Sequence, residues 1–237
     1  MEIMWVRLFF ALLLAHLAGD FLLQTDTLCA KKRARRFRSG YLYVHAAIIA
    51  GLSLLAFWDL SFWLWALAIG VTHLIIDGIK ACVRKDSIWI FLTDQILHTV
   101  IIGAVAGICV ARYGWISPSW MTDSIFKVVA VSSAAIVCWK PANILIRYIL
   151  QYCKMVVPGD DTTLFHAGKL IGTLERWLIL VFLLIGRYEV IGFLIAAKSI
   201  IRFGEKDKDK TEYFLAGTLL SISIAVACGL LLLGIIM

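Results

Sequence analysis

Apolar stretches of about 20 residues, the length of α-helix needed to cross the hydrocarbon core of a bilayer, recur along almost the whole chain. Candidate spans are 4–28, 41–58, 62–80, 87–111, 124–150, 170–186, 188–203 and 212–236. The runs are continuous rather than alternating, which argues against a transmembrane β-barrel. Only 16% of the 237 residues are charged and 62% are hydrophobic, whereas soluble domains carry roughly 25% charged residues. The expected fold is therefore all-α, a polytopic transmembrane helix bundle of about eight spans. Six to eight remain compatible, because the second and third runs are short and would need tilt or local thinning. Pro141 should end or kink the fifth span just after Trp139. The chain is expected to divide into a four-helix membrane half, 1–112, and a set of C-terminal membrane helices, 113–237.

The distribution of basic residues supports eight spans. Connections 29–40, 80–87, 140–169 and 198–210 hold six, three, four and five of the 23 Lys and Arg. Alternate connections are thus enriched, as the positive-inside rule requires, and both termini are expected outside the cytoplasm. The same rule accounts for the net charge of +7 and for the run KKRARRFR. That run lacks the interleaved aromatics of a nucleic-acid surface, so its expected contacts are lipid headgroups and no nucleic acid is expected as a partner. The N-terminal run LFFALLLAHLAG has a weak basic flank, and its polar helical pattern continues past the small residues; it reads as a retained first helix rather than a cleaved signal. The nine tryptophans fall largely around outer connections, for example Trp58, Trp63, Trp65, Trp115 and Trp120, as interfacial belts do. Six cysteines are scattered without close pairs, which suggests neither a disulfide framework nor a thiolate metal site. No phosphate-binding glycine loop and no serine-nucleophile motif is present.

The polar residues inside the spans carry whatever chemistry exists, because an ionisable group in a bilayer is costly and faces the bundle interior or water. The first span carries His16, Asp20 and Gln24, each four residues apart. The second has His45 near its start. The third has His73 and Asp77 in THLIIDGIK, and the fourth has Asp94 and His98 in TDQILHTV. Residues four apart lie on one helical face. With alternating helix directions, all of these fall within a slab roughly 10–15 Å thick toward the cytoplasmic side, at about 1.5 Å per residue.

A divalent metal is what gathers neutral imidazoles and carboxylates at one level. Histidine suits zinc, and added carboxylates favour a second or harder ion such as Mn or Fe. Helix bundles hold such sites with residues on facing helices, and paired metals activate water for hydrolysis. His16, Asp20, His45, His73, Asp77, Asp94 and His98 are the candidate ligands, with zinc the first choice. One of Asp20, Asp77 and Asp94 could serve instead as a general base, and Gln24 or Lys80 could orient a ligand or substrate. Two other readings stand beside this one. The groups could carry protons or ions in a transporter or channel, or they could hold helices together in a non-catalytic scaffold.

HLAGDFLLQ, VHAAI, THLIIDGIK and DQILHTV resemble the bacterial integral-membrane family known as the DUF3307 domain. The later stretch LIGTLERWLILVFLLIGRYEVIGFLIAAKSIIRFGE, followed by EYFLAGTLLS, is similar to its longer members. The resemblance covers the first 110 residues and about 165–225. It implies a bacterial inner-membrane protein and no established activity. The His-x3-Asp helix motif is also similar to one in inner-membrane metal-dependent hydrolases, an analogy only.

The C-terminal half adds Glu175 and Arg176 in the sixth span and Lys198 and Arg202 at the end of the seventh. Glu175 is a further catalytic candidate. Arg176, Lys198 and Arg202, with Lys80, could bind an anionic substrate group such as phosphate. The bland alternative has Lys198 and Arg202 snorkelling to headgroups and Glu175 pairing with one of them. Asp160, Asp161 and His166 are weaker candidates, since Asp161 or Thr162 could simply cap a helix. The stretch GEKDKDKTE reads as a solvated loop. The sequence thus points to a metal-dependent hydrolase of a membrane-derived or phosphorylated substrate; it leaves the oligomeric state open.

Overall fold

The computed structural model describes residues 2–83, 86–114, 118, 120–155, 162–202 and 208–237. Among them the regular structure is helical and no strand occurs. The helices are α1 (Glu2–Leu17, continued by a π-turn over Ala18–Leu22), α2 (Asp26–Arg35), α3 (Gly40–Phe57), α4 (Trp63–Cys82), α5 (Ile88–Tyr113), α6 (Asp123–Val137), α7 (Lys140–Tyr152), α8 (Thr162–Leu184), α9 (Tyr188–Arg202) and α10 (Lys208–Ile236). Two compact units are formed, Met1–Ser133 and Ala134–Met237.

Among the described residues, six helical stretches are long and apolar enough to cross a membrane: Met4–Leu22, Gly40–Phe57, Leu60–Cys82, Ile88–Tyr113, Asp123–Tyr152 and Glu212–Ile236. The eight-span count also included segments within α8 and α9. The first has length enough but carries Lys169, Glu175 and Arg176, and α9 has only 15 residues, short of the roughly 20 needed for an untilted crossing.

Pro141 acts as expected. The fifth span breaks at Trp139, and Pro141 sits in the first turn of α7, where its missing N–H costs nothing. The first span differs from expectation. It ends at Leu22 rather than 28, and the basic run that follows forms α2, lying against α3 and α4, rather than a bare connection. The last span, Glu212–Ile236, falls as expected, within a helix that begins earlier, at Lys208; α8 begins at Thr162, ahead of the expected start at 170.

In the first unit α1, α3, α4 and α5 pack around a common axis. Leu8 and Leu12 of α1 meet Ile49 and Phe57 of α3, Ala66 and Ile69 of α4, and Ile102, Val105 and Ala106 of α5 in one continuous apolar core. Close approach is set by two glycines. A Cβ on Gly70 would lie 2.8 Å from Ala50 Cβ and 3.1 Å from the Ala46 carbonyl, so only glycine lets α4 come this near α3. A Cβ on Gly19 would collide with Ile49. Small residues at such contacts are the usual device for bringing membrane helices together. Here they draw Asp20, His45 and His73 into one place. Met121, Phe126 and Val129, leading into and along α6, pack on Ala11, and Arg7 forms an ion pair with Asp123.

In the second unit Ile179 and Leu183 of α8, Ile191 of α9 and Ala225 of α10 form a separate apolar core.

Candidate metal centre

The polar residues of the four spans meet in the first unit. His16 comes from the end of α1 and Asp20 from the π-turn. His45 lies near the start of α3, His73 and Asp77 in the later half of α4, and Asp94 and His98 in the early part of α5. The six of these residues outside the π-turn are each no more than 3% exposed.

Four of them converge tightly. His45 Nε2 lies 3.0 Å from Asp20 Oδ1 and 3.0 Å from His73 Nε2. His73 Nε2 is 3.3 Å from the same Asp20 oxygen. Asp77 Oδ2 is 3.6 Å from His73 Nε2 and 3.7 Å from His45 Nε2. A tetrahedral zinc ion with bonds of about 2.0–2.1 Å has ligand–ligand edges of about 3.3 Å. The five distances bracket that value, and each carries a nitrogen or a carboxylate oxygen.

The neighbouring residues form a second pole. His16 and His98 have ring centroids 5.0 Å apart, and the His73 and His98 rings stack at 4.1 Å. His98 Nε2 is 3.6 Å from Asp94 Oδ1, and His16 Nε2 is 3.8 Å from Asp20 Oδ2. His16 Nε2, His98 Nε2 and Asp94 Oδ1 are buried and have no hydrogen-bond partner. A buried polar atom left in that state costs about 1–3 kcal/mol, so three together mark a place built for something that supplies bonds. His16–Asp20–His73, His45–His73–Asp77 and Asp77–Asp94–His98 each offer ligand atoms within 4.8 Å of one another. The buried groups are therefore able to hold a divalent ion.

Two lysines orient the carboxylates. Lys32 of α2 forms a buried ion pair with Asp77 Oδ2. Lys80 Nζ lies 2.6 Å from Asp94 Oδ2, which also accepts a bond from Gln95 Nε2 at 3.0 Å. With neutral imidazoles, three carboxylates and two ammonium groups leave a net charge of −1, which favours a cation in the cluster. Outer partners of this kind fix ligand geometry and typically change metal affinity by about 10–100-fold when removed. Lys32→Met should weaken metal retention by that order, measured by competition with a chromogenic chelator.

Gln24 lies just past the π-turn, outside the helix. Its Nε2 is buried without a partner. The wider π-turn, which often accompanies functional sites, instead swings Asp20 toward His45 and His73. Lys32 and Gln95 were not singled out from the sequence. Lys32 is one of six basic residues in a single run, and nothing in that run distinguishes it.

One end of the centre is closed by the apolar core of Leu8, Leu12, Ile49 and Ile102. On another side a cleft between α4 and α5, lined by Ile76, Ile79, Trp89, Ile90 and Leu97, reaches Lys80 and Asp94. Its walls are mainly apolar.

The C-terminal candidates belong to the second unit. Glu175 is paired with Lys198 at 2.5 Å, as the bland alternative had it. Arg176 is 1% exposed; it donates to the Cys138 carbonyl at 2.5 Å, Ser221 Oγ at 2.7 Å, Asn143 Oδ1 at 2.7 Å and Thr173 Oγ1 at 3.2 Å. Asp160 and Asp161 lie outside the described residues, as do the side chains of Thr162, His166 and Arg202.

Fold and site together define an all-helical protein of membrane-spanning helices with a buried His/Asp cluster able to hold a metal ion. The chain belongs to the family described as "Protein of unknown function (DUF3307)", whose model matches residues 8–140, more than half of the chain. The match includes all seven candidate ligands and ends before the C-terminal stretch that resembled the longer members. No curated protein and no solved structure matches the chain.

Proposed function

We propose that the protein is a metal-dependent hydrolase of the bacterial inner membrane, with its metal centre opening toward the cytoplasm and both termini outside. Zinc is the first choice of ion, with Mn or Fe the alternatives. The observation that carries the reading is the set of five nitrogen–oxygen and nitrogen–nitrogen distances, 3.0–3.7 Å, among Asp20, His45, His73 and Asp77. These four would hold one ion. His16, Asp94 and His98 would hold a second ion or the water to be activated, since their inward atoms lack partners. A bound ion would supply Lewis acidity and lower the pKa of a coordinated water. An Asp of the second pole would take the proton, and Lys80 would meet the anionic group of the substrate.

A membrane-derived or phosphorylated substrate fits the cleft between α4 and α5, whose apolar walls lead to one ammonium and one carboxylate. Glu175, Arg176, Lys198 and Arg202 have no step in this scheme. The apolar closure on the other side supports an enzyme over a transporter. A conduction path would have to pass the buried apolar side chains of Leu8, Leu12, Ile49 and Ile102, where Ser53, whose hydroxyl donates to the Ile49 carbonyl, is a buried polar neighbour.

The reading is tested with full-length protein in detergent, loaded with zinc or manganese and given a chromogenic phosphodiester. Turnover that disappears on chelation and in His45→Ala/His73→Ala is expected. Metal-loaded protein without turnover, combined with pH-dependent ion flux in liposomes, would instead establish the transporter.

A further inference from the structure

The second unit contains a separate basic cavity that the metal chemistry does not use. Its volume is about 160 Å³, enough for a small tetrahedral anion. Arg147 of α7, Lys169 and Arg176 of α8 and Lys198 of α9 line it, together with Thr218 and Ser221 of α10. Among the described residues, no Asp or Glu lines it.

Arg176 makes this more than a basic rim. It is almost fully buried, yet each of its four hydrogen bonds goes to a neutral oxygen. The carboxylate beside it in sequence, Glu175, is engaged by Lys198. A guanidinium has five N–H groups, so one N–H on Nη1 keeps no acceptor among the described residues. A buried charge normally has a partner of opposite sign, because desolvating it alone is costly.

Gly172 keeps that nitrogen approachable. A Cβ there would lie 3.3 Å from Arg176 Nη1 and 3.9 Å from Ser221 Oγ. The remaining walls are mainly apolar, with Ile146, Leu150, Ile171 and Phe214, and include Asn143 and Tyr213. Planar guanidinium beside hydroxyl and ammonium donors is the donor set that recognises phosphate oxygens.

We propose that this cavity binds a phosphate group, held by Arg176 and Ser221 at its floor and by Arg147, Lys169 and Lys198 around it. A phospholipid headgroup and free inorganic phosphate share that chemistry. The proposal is independent of the metal centre.

The test is the melting temperature of the full-length protein in maltoside detergent with inorganic phosphate, short-chain phosphatidylglycerol or short-chain phosphatidylcholine. At about 100-fold excess over Kd, a specific ligand should raise the melting temperature by about 5 °C or more for a chain of this size. A rise with phosphatidylglycerol alone assigns the site to a lipid headgroup; a rise with inorganic phosphate assigns it to the free anion. Either rise should vanish in Arg147→Ala/Lys169→Ala, whose first position is exposed on the cavity wall, and in Gly172→Val, which narrows the approach to Arg176. The proposal is overturned if neither phosphate nor phosphatidylglycerol shifts the wild type. It is equally overturned if phosphatidylcholine shifts it as much as phosphatidylglycerol, or if the shift persists in both variants.

Discussion

Zinc or manganese added to chelator-stripped protein is expected to raise its melting temperature by about 10 °C, and His45→Ala/His73→Ala to abolish that rise. The size follows from linkage. A ligand at about 1,000 times its Kd stabilises the folded state by about 4 kcal/mol, and each kcal/mol moves the midpoint of a chain this long by roughly 2–4 °C. His45 and His73 are chosen because their Nε2 atoms face each other at 3.0 Å and both face Asp20 and Asp77. Removing both leaves only two carboxylates at that pole, which cannot hold a borderline-soft ion tightly. A scaffold stabilised only by His–Asp packing would behave differently: the double variant would melt lower, and chelator would leave the wild type unchanged.

Arg176→Met should lower stability by about 3–5 kcal/mol, the range for breaking a buried hydrogen-bonded charge network. It strips partners from the Cys138 carbonyl, Asn143, Thr173 and Ser221 at once. Methionine fills much of the volume, so the loss reports unsatisfied polar groups rather than a cavity. Arg176→Lys should recover less than half, because an ammonium cannot span acceptors that lie in the directions of a planar fork. Thermal unfolding followed by tryptophan fluorescence measures both, with Trp139 and Trp177 close to the site through their own ring contact.

The helical architecture and the shared polar level were legible because both follow from short-range rules. An apolar run of bilayer length and a four-residue spacing are visible in one dimension. Asp94 and His98 therefore land beside His73 and Asp77 once neighbouring helices run in opposite directions. Pro141 was legible for the same reason, as its effect is confined to its own turn.

What escaped depends on chain geometry that no spacing encodes. The π-turn at Ala18–Leu22 ends the helix before Gln24, where the four-residue spacing read as a helix continuing to 28. Lys32 reaches Asp77 only because α2 folds back against α4, a tertiary choice invisible in a run of basic residues. Arg176 was legible as a candidate anion ligand, being a cation in a span, but its hydrogen-bond partners were not. Its neutral partners come from positions 138, 143, 173 and 221, and only packing brings those together.

The most direct measurement is elemental analysis of the full-length protein purified without chelator. About one to two equivalents of a divalent transition metal per chain are expected, with zinc the leading candidate. In His45→Ala/His73→Ala the content should fall by the equivalent held among Asp20, His45, His73 and Asp77. A wild-type protein without stoichiometric metal, or a double variant that retains the same metal, would contradict the proposed metal centre.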